Sequence, residues 1–265
     1  MPLHLLQIAK KLAHDAGKMA LEYQKKGFKV DTKGSHVNLV TEADKACNEL
    51  IVSVIQKNFP DHSIISEEIP PIKGTSDYKW IIDPIDGTTN FAQGLPIFSI
   101  SIAVIHKGVP IIGVVEVPGT GETFWAKQGE GAYLGKHRIH VSQTSELKNG
   151  LYATGLPYER GSARTEKTFK IYQAIHAQSR GVRRIGTSAL DLAYLAAGRY
   201  DGYFEYDLEA WDIAAGKIIV EEAGGMVTNM DGSMLSPKKG TLLASNGLLH
   251  SKLMETIKKE GGLNV

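Results

Sequence analysis

A single cysteine, Cys47, occurs in 265 residues, so neither an intrachain disulfide nor a cysteine-based zinc site can form within one chain. No apolar run approaches the roughly 18–20 residues that a membrane-spanning helix needs. At the N-terminus Leu5, Ala9, Leu12, Ala16 and Ala20 recur at helical spacing, but Lys10, Lys11, His14 and Asp15 interrupt them. That pattern predicts an amphipathic helix lying on a core, not a secretory signal. An excess of one charge is also missing: 30 Lys and Arg face 29 Asp and Glu, a formal charge of +1. This argues against a dedicated nucleic-acid binder, as does the lack of any basic run joining Lys33, Lys136, Arg138 and Lys148. No pair among the nine histidines has zinc-ligand spacing. Neither an internal repeat nor a low-complexity tract is present. The expected location is the cytoplasm.

Apolar residues make up 42% and charged residues 22%, values at which a chain of this length folds around a real core without disulfides. Helices are expected over 3–24 and 41–59, the second with Thr41 as N-cap and Asp44 completing a capping box. Cys47 falls on its buried stripe with Ala43, Ile51 and Ile55 and reads as core. Residues 26–40 read as extended chain or a mobile loop. Strands at 63–66, 79–83, 98–105, 110–117 and 122–126 predict an antiparallel meander with one face on the core, because Phe98, Ile100, Ile102 and Val104 alternate with Ser99, Ser101 and Ala103. Gly129 to Tyr133 reads as a turn in that meander. Beyond residue 142 strands (151–154, 182–185, 202–205, 242–244) alternate with helices (165–178, 188–197, 211–223, 248–258), which predicts α/β layering. A boundary there divides the chain into 1–142 and 143–265.

The densest chemical signal is Asp83-Pro84-Ile85-Asp86-Gly87-Thr88-Thr89-Asn90-Phe91. An apolar strand, Trp80-Ile81-Ile82, runs directly into two carboxylates three residues apart. By itself the pair reads as an acidic turn, but the flanking strand and the Gly-Thr-Thr-Asn tail point further. Two carboxylates on buried backbone repel each other unless a cation lies between them, and oxygen-only ligands select hard divalent ions, Mg²⁺ above all. Gly87 and Thr88 offer N–H groups suited to a phosphate oxygen. Glu67-Glu68, Asp212 and Asp44 sit where strands and helices end; each alone reads as readily as a solvated loop acid or a cap.

Together these residues resemble the inositol monophosphatase family of Mg²⁺-dependent, lithium-sensitive sugar-phosphate phosphatases, over nearly the whole chain. Leu39 to Asp44 resembles the family's segment bearing a third-metal aspartate. Ser66-Glu67-Glu68 is similar to its Gly-Glu-Glu with Ser for Gly, Asp83 to Phe91 to its signature, and Trp211-Asp212-Ile213-Ala214-Ala215-Gly216 to its C-terminal signature. The resemblance implies an α+β fold layered α-β-α-β-α, with an antiparallel N-terminal sheet and an α/β C-terminal half completing the site. It also implies roles. Glu67, Asp83 and the Ile85 carbonyl would bind a first metal. Asp83, Asp86 and Asp212 would bind a second, and Glu67, through water, a third. Thr88, hydrogen-bonded to Asp44, would polarise the attacking water, and Gly87 and Thr88 N–H groups would hold phosphate. Ser188, in Gly186-Thr187-Ser188-Ala189, and Glu205 become polyol contacts alongside Asp86 and Asp212; their bland readings are an N-cap turn and a strand-end acid. Lys33 matches a mobile-loop lysine or is simply a solvated one. Arg183 and Arg184 read as surface or dimer salt-bridge residues.

The implied activity is Mg²⁺-dependent hydrolysis of a small phosphate monoester, first myo-inositol 1-phosphate, by a homodimer. Related phosphatases act on fructose 1,6-bisphosphate, histidinol phosphate or 3′-phosphoadenosine 5′-phosphate, and some members also associate with transcription machinery. Neither nucleic acid nor membrane is expected as a partner.

Overall fold

The computed structural model describes residues 2–34, 38–235 and 240–263. Part of the loop expected over 26–40, residues 35–37, lies outside them. α1 (Pro2–Lys26) is followed by a short antiparallel hairpin, β1 (Val30–Thr32) and β2 (Leu39–Thr41), and then by α2 (Glu42–Asn58). The α2 N-terminus has the expected capping box: Thr41 Oγ1 accepts the Asp44 N–H at 3.3 Å, and Asp44 Oδ2 accepts the Thr41 N–H at 2.7 Å.

The first sheet comprises β3 (Ser63–Ser66), β4 (Ile69–Ile72), β5 (Tyr78–Asp86), β6 (Ser99–His106), β7 (Val109–Val117), β8 (Glu122–Lys127), β9 (Gly131–Leu134) and β10 (His137–Ile139), with a short helix α3 (Thr88–Ala92) after β5. Its order is β10-β9-β8-β7-β6-β5-β3-β4, antiparallel except for the parallel pair β3–β5. β4 reads Ile-Pro-Pro-Ile, which no periodicity marks as a strand. It is tolerated because it lies at the sheet edge, where proline's missing N–H costs no ladder bond. The expected turn at 129–133 closes at Gly131, where β9 begins.

The second sheet comprises β11 (Leu151–Thr154), β12 (Gly181–Arg183), β13 (Gly202–Leu208), β14 (Met226–Thr228) and β15 (Gly240–Ser245), interleaved with α4 (Ala163–His176), α5 (Ser188–Ala196), α6 (Ala210–Glu222) and, last, α7 (His250–Lys259). β12, β11 and β13 run parallel; β15 is antiparallel to β13, and the edge strand β14 is antiparallel to β15.

Three apolar clusters define five layers. α1 and α2 pack on one face of the first sheet through Leu5, Cys47, Ile51, Ile82, Ile102 and Val114. α5 and α6 fill the space between the sheets, with Leu192 and Ile218 among the buried side chains. α4 and α7 close the far face of the second sheet through Ile171, Phe204 and Leu253. The architecture is therefore the expected α-β-α-β-α sandwich.

The meander differs from expectation in one respect: both of its faces are buried. Every residue of β6 from Ser99 to Ile105 is shielded, because α6 covers the face carrying the small residues. Ser101 Oγ donates to the Trp211 carbonyl at 3.2 Å across that contact. Gly113 of β7 lets the helix approach closely, since a Cβ there would lie 2.5 Å from both the Ala215 carbonyl oxygen and Ile218 Cγ2. Gly113→Ala should therefore cost about 1–3 kcal/mol through overpacking. Urea denaturation would read this as a lowered midpoint at unchanged slope; an unchanged midpoint would mean that the layer has slack.

Candidate active site

β5 delivers the two leading carboxylates. Its residues from Trp80 to Asp86 are all buried, and its pairing with β6 slips between Asp83 and Asp86, where Pro84 cannot donate to the ladder. Asp83 Oδ1 accepts the Ile85 N–H at 3.0 Å, fixing that carboxylate against its own turn. Gly87 follows at φ +91°, the left-handed region, and starts α3. A Cβ at Gly87 would come within 3.2 Å of the Gly186 carbonyl oxygen, so this turn and the β12–α5 turn meet with no room for a side chain. Asn90 Nδ2 ties them together, donating to the Ile185 carbonyl at 2.7 Å and the Ile97 carbonyl at 2.8 Å.

Asp86 joins the two halves of the chain. Its carboxylate accepts the Ala189 N–H at 2.8 Å and the Ser188 N–H at 3.3 Å, both at the start of α5, and also the Thr187 hydroxyl. Ser99 Oγ adds a bond at 3.3 Å. Asp212 comes from the first turn of α6, where its Oδ2 accepts the Glu209 N–H at 2.7 Å. Asp83, Asp86 and Asp212 each present a carboxylate oxygen within 4.8 Å of the others, the one such group among the described residues. Burial pushes all three upward, and neighbouring carboxylates, Glu67 among them, add to it; Asp86 is lifted to about 6 while bonds from Thr187, Ala189 and Ser188 oppose the rise. A cation would relieve this repulsion, so the donor set fits a hard metal ion.

Asp44 caps α2 and also faces the site: Thr88 Oγ1 lies 3.2 Å from Asp44 Oδ1 and 3.1 Å from the Ile85 carbonyl oxygen. Glu67 lies at the rim, outside the close group of three. Its carboxylate accepts Lys33 Nζ at 2.8 Å, and the same ammonium reaches Glu68 at 2.6 Å. Lys33 is thus neither simply solvated nor in the acid cluster.

The opposite side of the cleft comes from the second sheet. Glu205 accepts a short bond from the Tyr203 hydroxyl and a second from the Ser188 side chain. Burial still lifts it to about 7. Gly155 lies directly against it: a Cβ there would fall 1.8 Å from Glu205 Oε1. Tyr158, Arg184 and Asp207 line the same cleft. Thr187, Tyr203 and Gly155 were not singled out from the sequence. Thr187 sits inside the Gly-Thr-Ser-Ala turn, a usable signal, whereas the other two act through backbone approach and a cross-site hydroxyl that no local pattern marks. Arg183 and Arg184 form no salt bridge within the chain among the described residues, contrary to an intrachain surface pair.

Carboxylates converging from a strand end and a helix start, beside a glycine turn open to an anion, define a phosphatase site able to hold metal. The chain belongs to the inositol monophosphatase family, whose sequence profile matches residues 1–261. It is 42% identical over 263 residues to the chloroplastic phosphatase IMPL1 of Arabidopsis thaliana, covering 97% of this chain and 70% of that protein. It is 41% identical over 255 residues to the Nus factor SuhB of Pasteurella multocida, covering 96% of this chain and 95% of the relative. The solved inositol monophosphatase of Anabaena (Nostoc) sp. superposes with a TM-score of 0.87 at 37% identity, covering 97% and 96% of the two chains.

The raised carboxyls give the metal-free protein a definite pH dependence. Groups whose folded pKa exceeds the unfolded value bind more protons when folded, so stability falls as pH rises through the folded values. Chelated protein should therefore melt lower at pH 8 than at pH 6.5, the window set by Asp86 near 6 and Glu205 near 7, with Asp83 and Asp212 also raised. Asp86→Asn should raise the pH 8 melting temperature by roughly 2–4 °C for each kcal/mol of repulsion removed, and flatten the slope. A lower melting temperature for this variant would mean that Asp86 acts chiefly as a structural acceptor.

Proposed function

We propose that this phosphatase is a Mg²⁺-dependent phosphomonoesterase acting on inositol 1-phosphate or a similar small polyol phosphate. The observation that carries the reading is the convergence of Asp83, Asp86 and Asp212 within 4.8 Å beside the Gly87–Thr88 turn, with Glu205 across the cleft. Asp83, Glu67 and the Ile85 carbonyl would hold one Mg²⁺, Asp83, Asp86 and Asp212 a second, and Glu67 through water a third. The chemistry supplied there is charge neutralisation of the phosphate and a lowered pKa for bound water. Lithium sensitivity belongs to the same proposal.

The chain's own residues divide the remaining work. Thr88 Oγ1 donates to Asp44 Oδ1, which leaves its lone pairs free to accept a hydrogen bond from a water placed beside it and so to aim that water's oxygen at phosphorus. The N–H groups of Gly87 and Thr88 hold phosphate oxygens. Ser188 and Glu205 meet the alcohol, Glu205 accepting hydroxyl bonds while Tyr203 keeps its carboxylate aimed. A relative named as a Nus factor, 41% identical, favours a second, protein-partner role beside catalysis. A pull-down comparing the protein with a catalytically inactive variant tests that role: capture of transcription proteins by both variants supports it.

Phosphate release from inositol 1-phosphate should require Mg²⁺ and vanish on chelation. Asp86→Asn should lose at least ~10³-fold in kcat, since it removes a carboxylate from the proposed two-metal site. Full activity after chelation, or in this variant, would overturn the mechanism.

Glu205→Gln separates alcohol recognition from metal binding. A hydrogen bond to a charged group contributes roughly 1.5–3 kcal/mol, so kcat/KM for inositol 1-phosphate should fall about 10- to 150-fold. With p-nitrophenyl phosphate, which has no hydroxyl to offer, the change should stay below about threefold. Equal losses on both esters would place Glu205 with the metal or structural groups.

A further inference from the structure

The catalytic cleft lies at the C-terminal ends of β11, β12 and β13. At their N-terminal ends, on the opposite edge of the sheet, a second open cleft of about 380 Å³ runs between the segment after Ser142 and the starts of the same strands. Arg180, Arg183 and Arg199 line it, with Thr144, Asn149 and Asp201. A neighbouring recess shares Thr144, Asn149 and Arg180 and extends it towards Gln143 and Ser145.

Charge and donors in this cleft are unbalanced. Arg199 is spoken for: it pairs with Glu122 and stacks over Tyr194. Asp201, the only acid in the lining, accepts the Leu151 N–H at 2.7 Å and the Ser142 hydroxyl, which shield its charge. Arg180 and Arg183 have no side-chain hydrogen bond or ion pair among the described residues. The backbone N–H groups of Gln143, Thr144 and Ser145 likewise have no acceptor among them. Two uncommitted guanidinium forks thus line a cleft whose one carboxylate is already occupied.

The walls are fixed before any ligand arrives. Asn246 Nδ2 donates to Ser142 Oγ at 3.0 Å and to the Thr144 carbonyl at 2.7 Å, and Lys252 Nζ holds the Ser145 carbonyl at 2.8 Å. The Arg180 N–H donates to the Gly150 carbonyl at 2.9 Å. Gly181, at φ +144°, lies beneath Arg183: a Cβ there would sit 3.1 Å from its Nη1. Guanidinium forks match oxyanions in bidentate fashion. A carboxylate would be satisfied by one fork; a tetrahedral phosphate has oxygens enough for both.

We propose that this cleft is a second anion site, remote from the acid cluster, that binds a phosphate group. The group could be supplied as free inorganic phosphate or on a small phosphorylated metabolite, and the site does not depend on the reaction proposed above.

Calorimetric titration with inorganic phosphate in EDTA isolates it, because without a divalent cation the acid cluster repels a dianion. Saturable binding is expected, absent with chloride at matched ionic strength. It should be retained in Asp86→Asn and weakened at least ~10-fold in Arg180→Gln and in Arg183→Gln, each a surface change whose fold is checked by its melting temperature. A parallel titration with glucose 6-phosphate identifies the source: tighter binding points to a metabolite, weaker binding to the free ion. No saturable binding, or affinity unchanged from the parent protein in both arginine variants, would overturn the site. Binding strengthened in Asp86→Asn, where one repelling carboxylate is gone, would assign the anion to the catalytic cleft and overturn the proposal. Binding that disappears as protein concentration rises would mean that a second copy of the chain covers the cleft.

Discussion

Three carboxylates held within 4.8 Å of one another by buried backbone are a standing electrostatic debt, and the surrounding fold exists to hold it. Left to themselves the side chains would rotate apart or take up protons, and their raised pKa values express the second response. What stops the first is covalent and hydrogen-bonded rigidity. β5 is enclosed on both faces, Asp83 is bonded to its own turn, and Asp86 takes donors from β6 and from the start of α5. The repulsion is therefore built into a frame that cannot relax, and this is the condition under which an added cation gains most.

The frame depends on helix α6 lying very close to the first sheet. Asp212 rides on the first turn of that helix, so its distance from Asp83 and Asp86 is set by the contact of Gly113 and Ser101 with Ala215, Ile218 and the Trp211 carbonyl. Small residues on one face of the meander look, in sequence, like a solvent face. Here they are a spacing device: bulkier side chains would push α6 outward and carry Asp212 with it.

What the sequence discloses follows from how local each feature is. The Asp83–Asp86 turn, the Thr41–Asp44 capping box and the long helices rest on spacings within a few residues, and all are present. β4, β10, β14 and the β1–β2 hairpin are short and lack alternation, and their strand character comes from pairing with the neighbouring strand and not from a pattern within the segment. Burial of the second face of β6 arises from α6, more than a hundred residues away. Glu67 illustrates the same limit in the site. Its sequence context groups it with the other acids, but its side chain is engaged by Lys33 from the hairpin, and only the tertiary structure sets that partner against the cluster.

The two sides of the cleft are held by separate sets of bonds. The acid cluster rests on β5, α3 and the first turns of α5 and α6, whereas Glu205 is aimed by the Tyr203 hydroxyl and by the close approach of Gly155, neither of which bonds to the three aspartates. Ser188 is the one residue that serves both, its backbone on Asp86 and its side chain on Glu205. Changes at positions 155, 203 or 205 would therefore reshape the Glu205 side while leaving the aspartates where they are. A change at Thr187 or Ala189 would move Asp86 and so disturb the acid cluster directly. This separation lets the two sides vary independently: the cluster is fixed by the layers of the sandwich, and the Glu205 side by a few contacts at the end of a single strand.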